Sequence, residues 1–281
     1  MLGITRQAYY RSIWRVQLRN GVAQQVLALV DEKRKRMPKI GGLKLYHLLK
    51  DSLKELGVGR DKLFLILRTN QRLIYPKGSY HVTTNSHHRF KKHKNLIENL
   101  KIERAEHVWV SDITYIGTRE NPIYLALITD AYSKKIVGYD VSNSLETVGC
   151  SNALKMALKR RKYPLRELIH HSDRGVQYCS GEYQTLLTKN RIRCSMTECY
   201  DPYENAVAER VNGILKQEFL LESQHSYLEW MKKMVKQSVQ IYNQERPHFS
   251  LLMQTPEQTH QEENIQIRTY KKEKSDSLET V

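Results

Sequence analysis

Residues 108–116 read VWVSDITYI, and this stretch decides the fold. Its β-branched and aromatic residues predict a strand over His107–Ile116. Val108, Val110, Asp112 and Thr114 fall on one face, because strand side chains alternate. An aspartate between apolar neighbours in a central strand is costly unless it is paired or bound to a metal. A strand-end aspartate that points into water is the competing reading of Asp112.

Two further acids stand in equally distinct settings. Residues 168–178, LIHHSDRGVQY, place Asp173 after an apolar run and before Arg174–Gly175. A carboxylate at the carboxyl end of a core strand lies where α/β active sites form, although Asp is also common in such turns. Residues 204–216, ENAVAERVNGILK, form a helical pattern. At about 100° per residue, Asn205, Glu209, Asn212 and Lys216 share one stripe. Val207, Val211, Ile214 and Leu215 lie opposite, as they would in an ordinary amphipathic surface helix. The preceding CYDPYENA supplies the turn and caps that start the helix. Between Asp173 and Glu209 lie 209 − 173 − 1 = 35 residues.

Taken with HSDRGVQY, DPYENAVAERVNGILKQE and YNQERPHFSLLMQTPEQ, this order and spacing resembles the DDE transposases of bacterial insertion sequences. The wording is similar to the second-reading-frame product of insertion-sequence family three, with a retroviral-integrase-like catalytic core. The resemblance runs from about Lys33 to about Gln258. It implies that Asp112, Asp173 and Glu209 are catalytic and hold two magnesium ions, with manganese as a substitute. Paired metals of this kind drive phosphoryl transfer. It also implies DNA strand cleavage and strand transfer at insertion-sequence ends, so that double-stranded DNA, both end and target, is the partner. A homo-oligomer on DNA and a fusion with an upstream-frame product are implied as well. With the helix geometry, Lys216 is expected to contact a terminal phosphate as a point charge. Arg246 is read as either structural or DNA-contacting. His171, beside Asp173, is read as packing or buttressing the acids, or else as assisting Asp173 directly. Two alternatives stand beside this reading: a DNA-binding protein with an inactive core, and a host nuclease of the same fold.

Outward from these motifs, Pro122–Asp130 and Lys135–Val141 read as strands joined to the first by short hairpin connections. Leu145–Arg161 is a helix with Thr147 or Ser144 as cap, Leu168–Ser172 a buried strand and Gly181–Asn190 a helix. Arg191–Met196 is a fifth strand, and Glu204–Phe219 and Ser226–Gln244 are helices. This order fits a mixed α/β sheet. Order alone leaves several such sheets open, and the resemblance implies the ribonuclease-H-like, five-stranded one. Ahead of it, Gly3–Arg15, Val22–Lys35, Leu43–Leu56 and Arg60–Asn70 read as short helices, broken at Pro38 and Gly41–Gly42. Basic helices with tight turns suit a helix-turn-helix DNA reader, or a small structural bundle. The expected organisation is therefore a helical DNA-binding region at 1–70, a basic linker at 71–105 and the catalytic core at 106–222. A helical extension at 223–262 and a polar, disordered tail at 263–281 follow.

Charge supports this division. Residues 1–105 hold 23 Lys and Arg against 7 Asp and Glu, a net of +16, whereas residues 106–281 hold 23 of each. A basic excess confined to one third of the chain points to a polyanion, most often nucleic acid. Without an aromatic amphipathic anchor it does not point to a membrane. His81, His87, His88 and His93 lack Cys partners and regular spacing, which argues against a metal site there. Cys150, Cys179, Cys194 and Cys199 form no Cys-x-x-Cys pair and suit free thiols in a reducing compartment. With no signal-like start and no long apolar run, a cytoplasmic, nucleoid-associated protein is expected.

Overall fold

A computed structural model describes residues 5–75, 93–118, 122–198, 205–223 and 227–262. The tail at 263–281, Cys199, the CYDP turn and the His81–His88 part of the expected linker lie outside these residues. Five strands form one sheet: β1 (Val108–Gly117), β2 (Pro122–Asp130), β3 (Ile136–Ser142), β4 (Ile169–Ser172) and β5 (Arg193–Met196). Their spatial order is β3-β2-β1-β4-β5. The first three strands pair antiparallel; β4 and β5 join parallel to β1. This is the order of the ribonuclease-H-like core, so the expected fold class holds.

Alternation along β1 sends its two faces into two separate cores. Trp109 packs with residues of α5 (Thr147–Lys159), with Tyr178 and Cys179 of the one-turn α6 (Val176–Cys179), and with Tyr183 and Leu187 of α7 (Gly181–Lys189). Val108 and Val110 face the opposite way, toward Ala208 of α8 (Ala206–Glu218). On the far side of the sheet from α8, α5 lies close enough that only glycine fits at 138. A Cβ there would stand 2.1 Å from the Ala153 carbonyl oxygen. The helix cap expected at Thr147 or Ser144 falls instead on Glu146, which makes no side-chain capping bond.

Strand β3 is an edge, and α9 (Leu228–Gln244) covers it. Asn243 accepts from the Ile136 amide at 2.9 Å and donates to the Ile136 carbonyl at 2.9 Å. Its side chain thus satisfies backbone groups that an open edge would leave exposed. The short α10 (Pro256–Gln261), not expected from the pattern, starts with a Thr255 capping box and buries His260.

The amino-terminal helices depart from expectation in two ways. Gly3–Arg15 and Val22–Lys35 belong to one helix, α1 (Arg6–Arg36), for the described part of the first. No proline interrupts it, and Gly21 alone costs only about 1 kcal/mol. Conversely, Leu43–Leu56 divides at Leu49 (φ −106°, ψ 12°) into α2 (Gly42–Leu48) and α3 (Lys50–Glu55). The bend keeps Leu45, Leu49 and Leu53 all buried. After a turn with left-handed Gly57 (φ 62°) comes α4 (Arg60–Thr69), close to the expected span.

This helical region does not keep a core of its own. Val26, Val30, Ile40, Leu45 and Leu63 belong to the same apolar cluster as Ile116, Leu125, Val211 and Val235 of the sheet side. Nor is the whole of 71–105 a linker. The Leu96 amide donates to Ser195 Oγ at 2.8 Å, and Leu96, Ile97, Leu100 and Ile102 pack against Val108 and Val110. The apolar residues interleaved with the charges dock this stretch beside β5.

Candidate active site

The parallel ladder between β1 and β4 builds the site. Its last paired residues are Ser111 and Ser172, so Asp112 and Asp173 are the next residue on each strand. Neighbouring strands lie about 4.8 Å apart, and residues in register share a face. Asp112 and Asp173 accordingly line one cavity of about 280 Å³. Both are half-buried. Asp112 Oδ2 accepts from Asn212 Nδ2 at 2.7 Å and Oδ1 from the Ile113 amide at 2.9 Å. Asp173 Oδ1 accepts from the Gly175 amide at 3.0 Å. Gly175 is tightly enclosed: a Cβ would meet that same Oδ1 at 3.0 Å and Gln177 Oε1 at 3.2 Å.

The third acid arrives on α8. Val211, Ile214 and Leu215 anchor this helix in the core, as its apolar side requires. Asn205 and Asn212, from the polar stripe, turn toward β1. Asn205 Nδ2 donates to the Ser111 carbonyl at 3.3 Å, and Asn212 holds Asp112. Glu209 lies between them in sequence, in the first turn of α8, with its side chain exposed. A carboxylate there is favoured by the helix dipole.

Electrostatics bind the three together. Burial, and then the negative charge of Asp173, push the Asp112 carboxyl up to about 7, and Glu209 adds to the rise. The Asn212 and Ile113 bonds oppose it. Partial desolvation raises Glu209 too. Asp112 and Asp173 are thus brought side by side, with Glu209 near enough to be felt. Among the described residues, no three His, Cys, Asp or Glu side chains gather closely enough to grip one ion. The donor chemistry nonetheless suits a hard cation, since all three groups offer carboxylate oxygens.

Lys216, expected at a phosphate, and Arg246, read as either structural or DNA-contacting, sit differently. Lys216 is two turns beyond Glu209, half-buried, with Nζ 3.9 Å from Glu222 Oε1. Of the two readings of Arg246, its placement supports the structural one. Arg246 is 1% exposed, and its Nε and Nη2 donate to Glu218 Oε2 and Oε1 at 2.8 and 2.7 Å. Lys44 of α2 also reaches Glu218 Oε1, at 3.1 Å. Buried to this degree, the guanidinium presents no surface to a phosphate in solution. His171 is fully buried and bonded through Nδ1 to Ser195 Oγ at 2.8 Å, a packing role. Sequence reasoning placed Asn212 on the stripe without giving it a task. Its position three residues after Glu209, on the same helix face, was the available signal.

Over 207 residues the chain is 34% identical to the insertion element IS600 uncharacterized 31 kDa protein of Shigella sonnei, spanning 72% of this chain and 76% of that one. It is 38% identical over 141 residues to transposase InsF for insertion sequence IS3A of Escherichia coli K12. The chain belongs to the transposases of insertion-sequence family three. The InsF match covers 50% of this transposase chain and 49% of InsF. Two integrase core domain families match it, at residues 102–202 and 190–256, spanning all three acids. Among solved structures, the simian T-cell lymphotropic virus intasome in complex with PP2A regulatory subunit B56 gamma is similar at 19% identity, with a TM-score of 0.49. That likeness covers 82% of this chain and 78% of that one. The fold assignment rests on the sheet order itself. No described helix is long and apolar enough to cross a membrane.

Proposed function

We propose that this transposase cuts and joins DNA strands at insertion-sequence ends, using Asp112, Asp173 and Glu209 to hold two divalent cations. The observation that carries the reading is the register of β1 and β4, which delivers two carboxylates to one spot, beneath a helix bearing the third. Burial and then the neighbouring Asp173 charge lift the Asp112 carboxyl to about 7, and bound cations would offset both. Magnesium fits these donors, and manganese is an adequate substitute.

Asp112, Asp173 and Glu209 would supply the carboxylate oxygens that hold the ions. Metal bound there would lower the pKa of an attacking water or 3′-hydroxyl and offset charge on the leaving 3′-oxygen. The chain's own residues orient the acids: Asn212 fixes Asp112 Oδ2, and the Gly175 amide fixes Asp173 Oδ1. In-line attack at phosphorus forms one P–O bond as the bond to the leaving 3′-oxygen breaks. No covalent protein intermediate arises, so no Ser or Tyr nucleophile is needed. Lys216, on the same helix face as Glu209, supplies a point charge for a nearby phosphate.

DNA binding is assigned chiefly to the amino-terminal third, where the net charge of +16 resides. Arg6, Arg11, Arg15 and Arg19 lie on the exposed half of α1, with no acid before Asp31. Further copies on DNA, and an upstream-frame product joined by fusion, complete the reading on the strength of family membership. The test is cleavage and joining of duplexes that carry the terminal repeats flanking this gene. Activity is expected in magnesium or manganese and not in excess chelator; activity that survives chelation would overturn the reading.

A further inference from the structure

Strand β1 outruns its parallel neighbour. Its ladder with β4 ends at Ser111, yet β1 continues to Gly117. The one-turn α6 closes part of the side left open, and the cavity of about 280 Å³ lies between. Asp112 and Asp173 stand among its lining residues. Its other walls are unlike an ion site. Tyr115 and Tyr124, a register pair on β1 and β2, contribute two half-buried rings with centroids 5.1 Å apart, tilted by 50°. Tyr178 is a fixed wall, buried and accepting from Ser111 Oγ at 2.9 Å. Leu145 remains 38% exposed although Gln177 Nε2 tethers its carbonyl at 2.8 Å.

Among the described residues, no lysine or arginine lines this cavity. Without cations at Asp112 and Asp173, the two carboxylates would repel a phosphate or any other anion. The walls suit a neutral, flat group with an apolar face. The volume falls just below the roughly 300–1,000 Å³ of pockets for drug-sized ligands, which suits one small ring system. We propose that the cavity receives one unstacked nucleobase of the DNA strand being cut, adjacent to the phosphate held at Asp112 and Asp173. Enzymes that work on nucleic acids hold extruded bases between aromatic and apolar side chains in this way. The inference rests on the strand-transfer reading, because a phosphate at the two acids is what brings a base within reach of the tyrosines. Tyr115 and Tyr124 are then positioning residues that set which nucleotide presents its phosphate.

The test uses the full chain and fluorescein-labelled duplexes carrying the terminal repeats beside the gene. These are intact or have one abasic site at each of three positions around the cut. Affinity is read by anisotropy in calcium, whose longer and more flexible coordination favours binding over chemistry. Removing the right base should weaken wild-type binding about tenfold, within the range of base–aromatic stacking. Tyr115→Leu with Tyr124→Leu should lose the same tenfold on intact DNA and nothing more on the abasic duplex. Tyr115→Phe with Tyr124→Phe should restore the base dependence. No abasic effect at any position, or losses that multiply, would overturn the proposal; the wild-type abasic scan decides even if the leucine variant fails to fold. Cleavage in magnesium separates the two claims. Base-dependent binding without cleavage sinks the catalytic reading and upholds the pocket. Cleavage without base dependence sinks the pocket alone.

Discussion

Arg246→Met tests the node that joins the amino-terminal helices to the catalytic core. Arg246 makes two bonds to Glu218, at 2.8 and 2.7 Å, and only 1% of its side chain is exposed. Burial raises the Glu218 carboxyl, but Arg246 and Lys44 outweigh it and hold it below the ordinary carboxylate range. Methionine keeps the side-chain bulk and removes the charge. Glu218, whose side chain is 16% exposed, is left with Lys44 alone. Removing one partner of a buried pair costs about 3–5 kcal/mol, and the remaining lysine argues for the lower end. With a urea slope of about 3 kcal/mol per molar, the unfolding midpoint should fall by about 1 M. Adding Glu218→Leu should recover only part of that loss, since Lys44, with its side chain 16% exposed, is then left without its carboxylate. DNA affinity and its salt slope should be those of the wild type wherever both proteins are folded. The reasoning is refuted if Arg246→Met melts like wild type while its salt slope falls by about 0.9, the signature of one lost phosphate contact.

Other outcomes follow from the same geometry. Asn212→Leu should weaken manganese binding about 10–100-fold in calorimetry, the usual cost of removing a group that orients a metal ligand. Gly138→Ala drives a methyl to within 2.1 Å of the Ala153 carbonyl oxygen and should cost about 1–3 kcal/mol in thermal unfolding. Burial pushes Glu106 up, yet contacts from His260, the Lys162 and Tyr163 amides and Arg161 hold it at about 2. A depressed carboxyl stabilises above its unfolded pKa and loses that contribution as pH falls through the folded one. Stability should therefore drop by about 3 kcal/mol between pH 4.5 and 2, and less steeply in Glu106→Gln. Replacing Arg11, Arg15 and Arg19 with Gln should lower the salt slope of DNA binding by up to about 2.7 without changing the melting temperature.

The catalytic sheet was legible because its strands are dense in β-branched and aromatic residues. Pro122–Asp130 matches β2 at both ends, and the β1 pattern was read to within one residue. The register that pairs Asp112 with Asp173 was not legible, since pairing between strands some 60 residues apart leaves no local trace. Helix periodicity gave α8 but could not tell that Asn205 and Asn212 bond inward to β1. Arg246 stayed open for a similar reason: beside Pro247 it looks like a loop residue, and only the fold brings Glu218 to it. The break at Leu49 and the continuity through Gly21 reflect tertiary packing overriding weak local preferences. The shared core of the helical region and the sheet was equally hidden, because periodicity names the buried face and not what covers it. For that reason DNA binding is better dissected by substitutions in the whole chain than by isolated fragments.

The central claim is that three carboxylates act as one metal-dependent centre. Its most direct test is strand transfer on terminal-repeat duplexes in magnesium by Asp112→Asn, Asp173→Asn and Glu209→Gln, each checked for a wild-type melting profile. Every change keeps the shape and removes one anionic metal-binding group. The several kcal/mol that such a centre supplies correspond to about a thousandfold or more in rate. All three variants should therefore lose transfer to that degree while still binding the DNA. Near-wild-type transfer by any one of them, Glu209→Gln above all, would contradict the account.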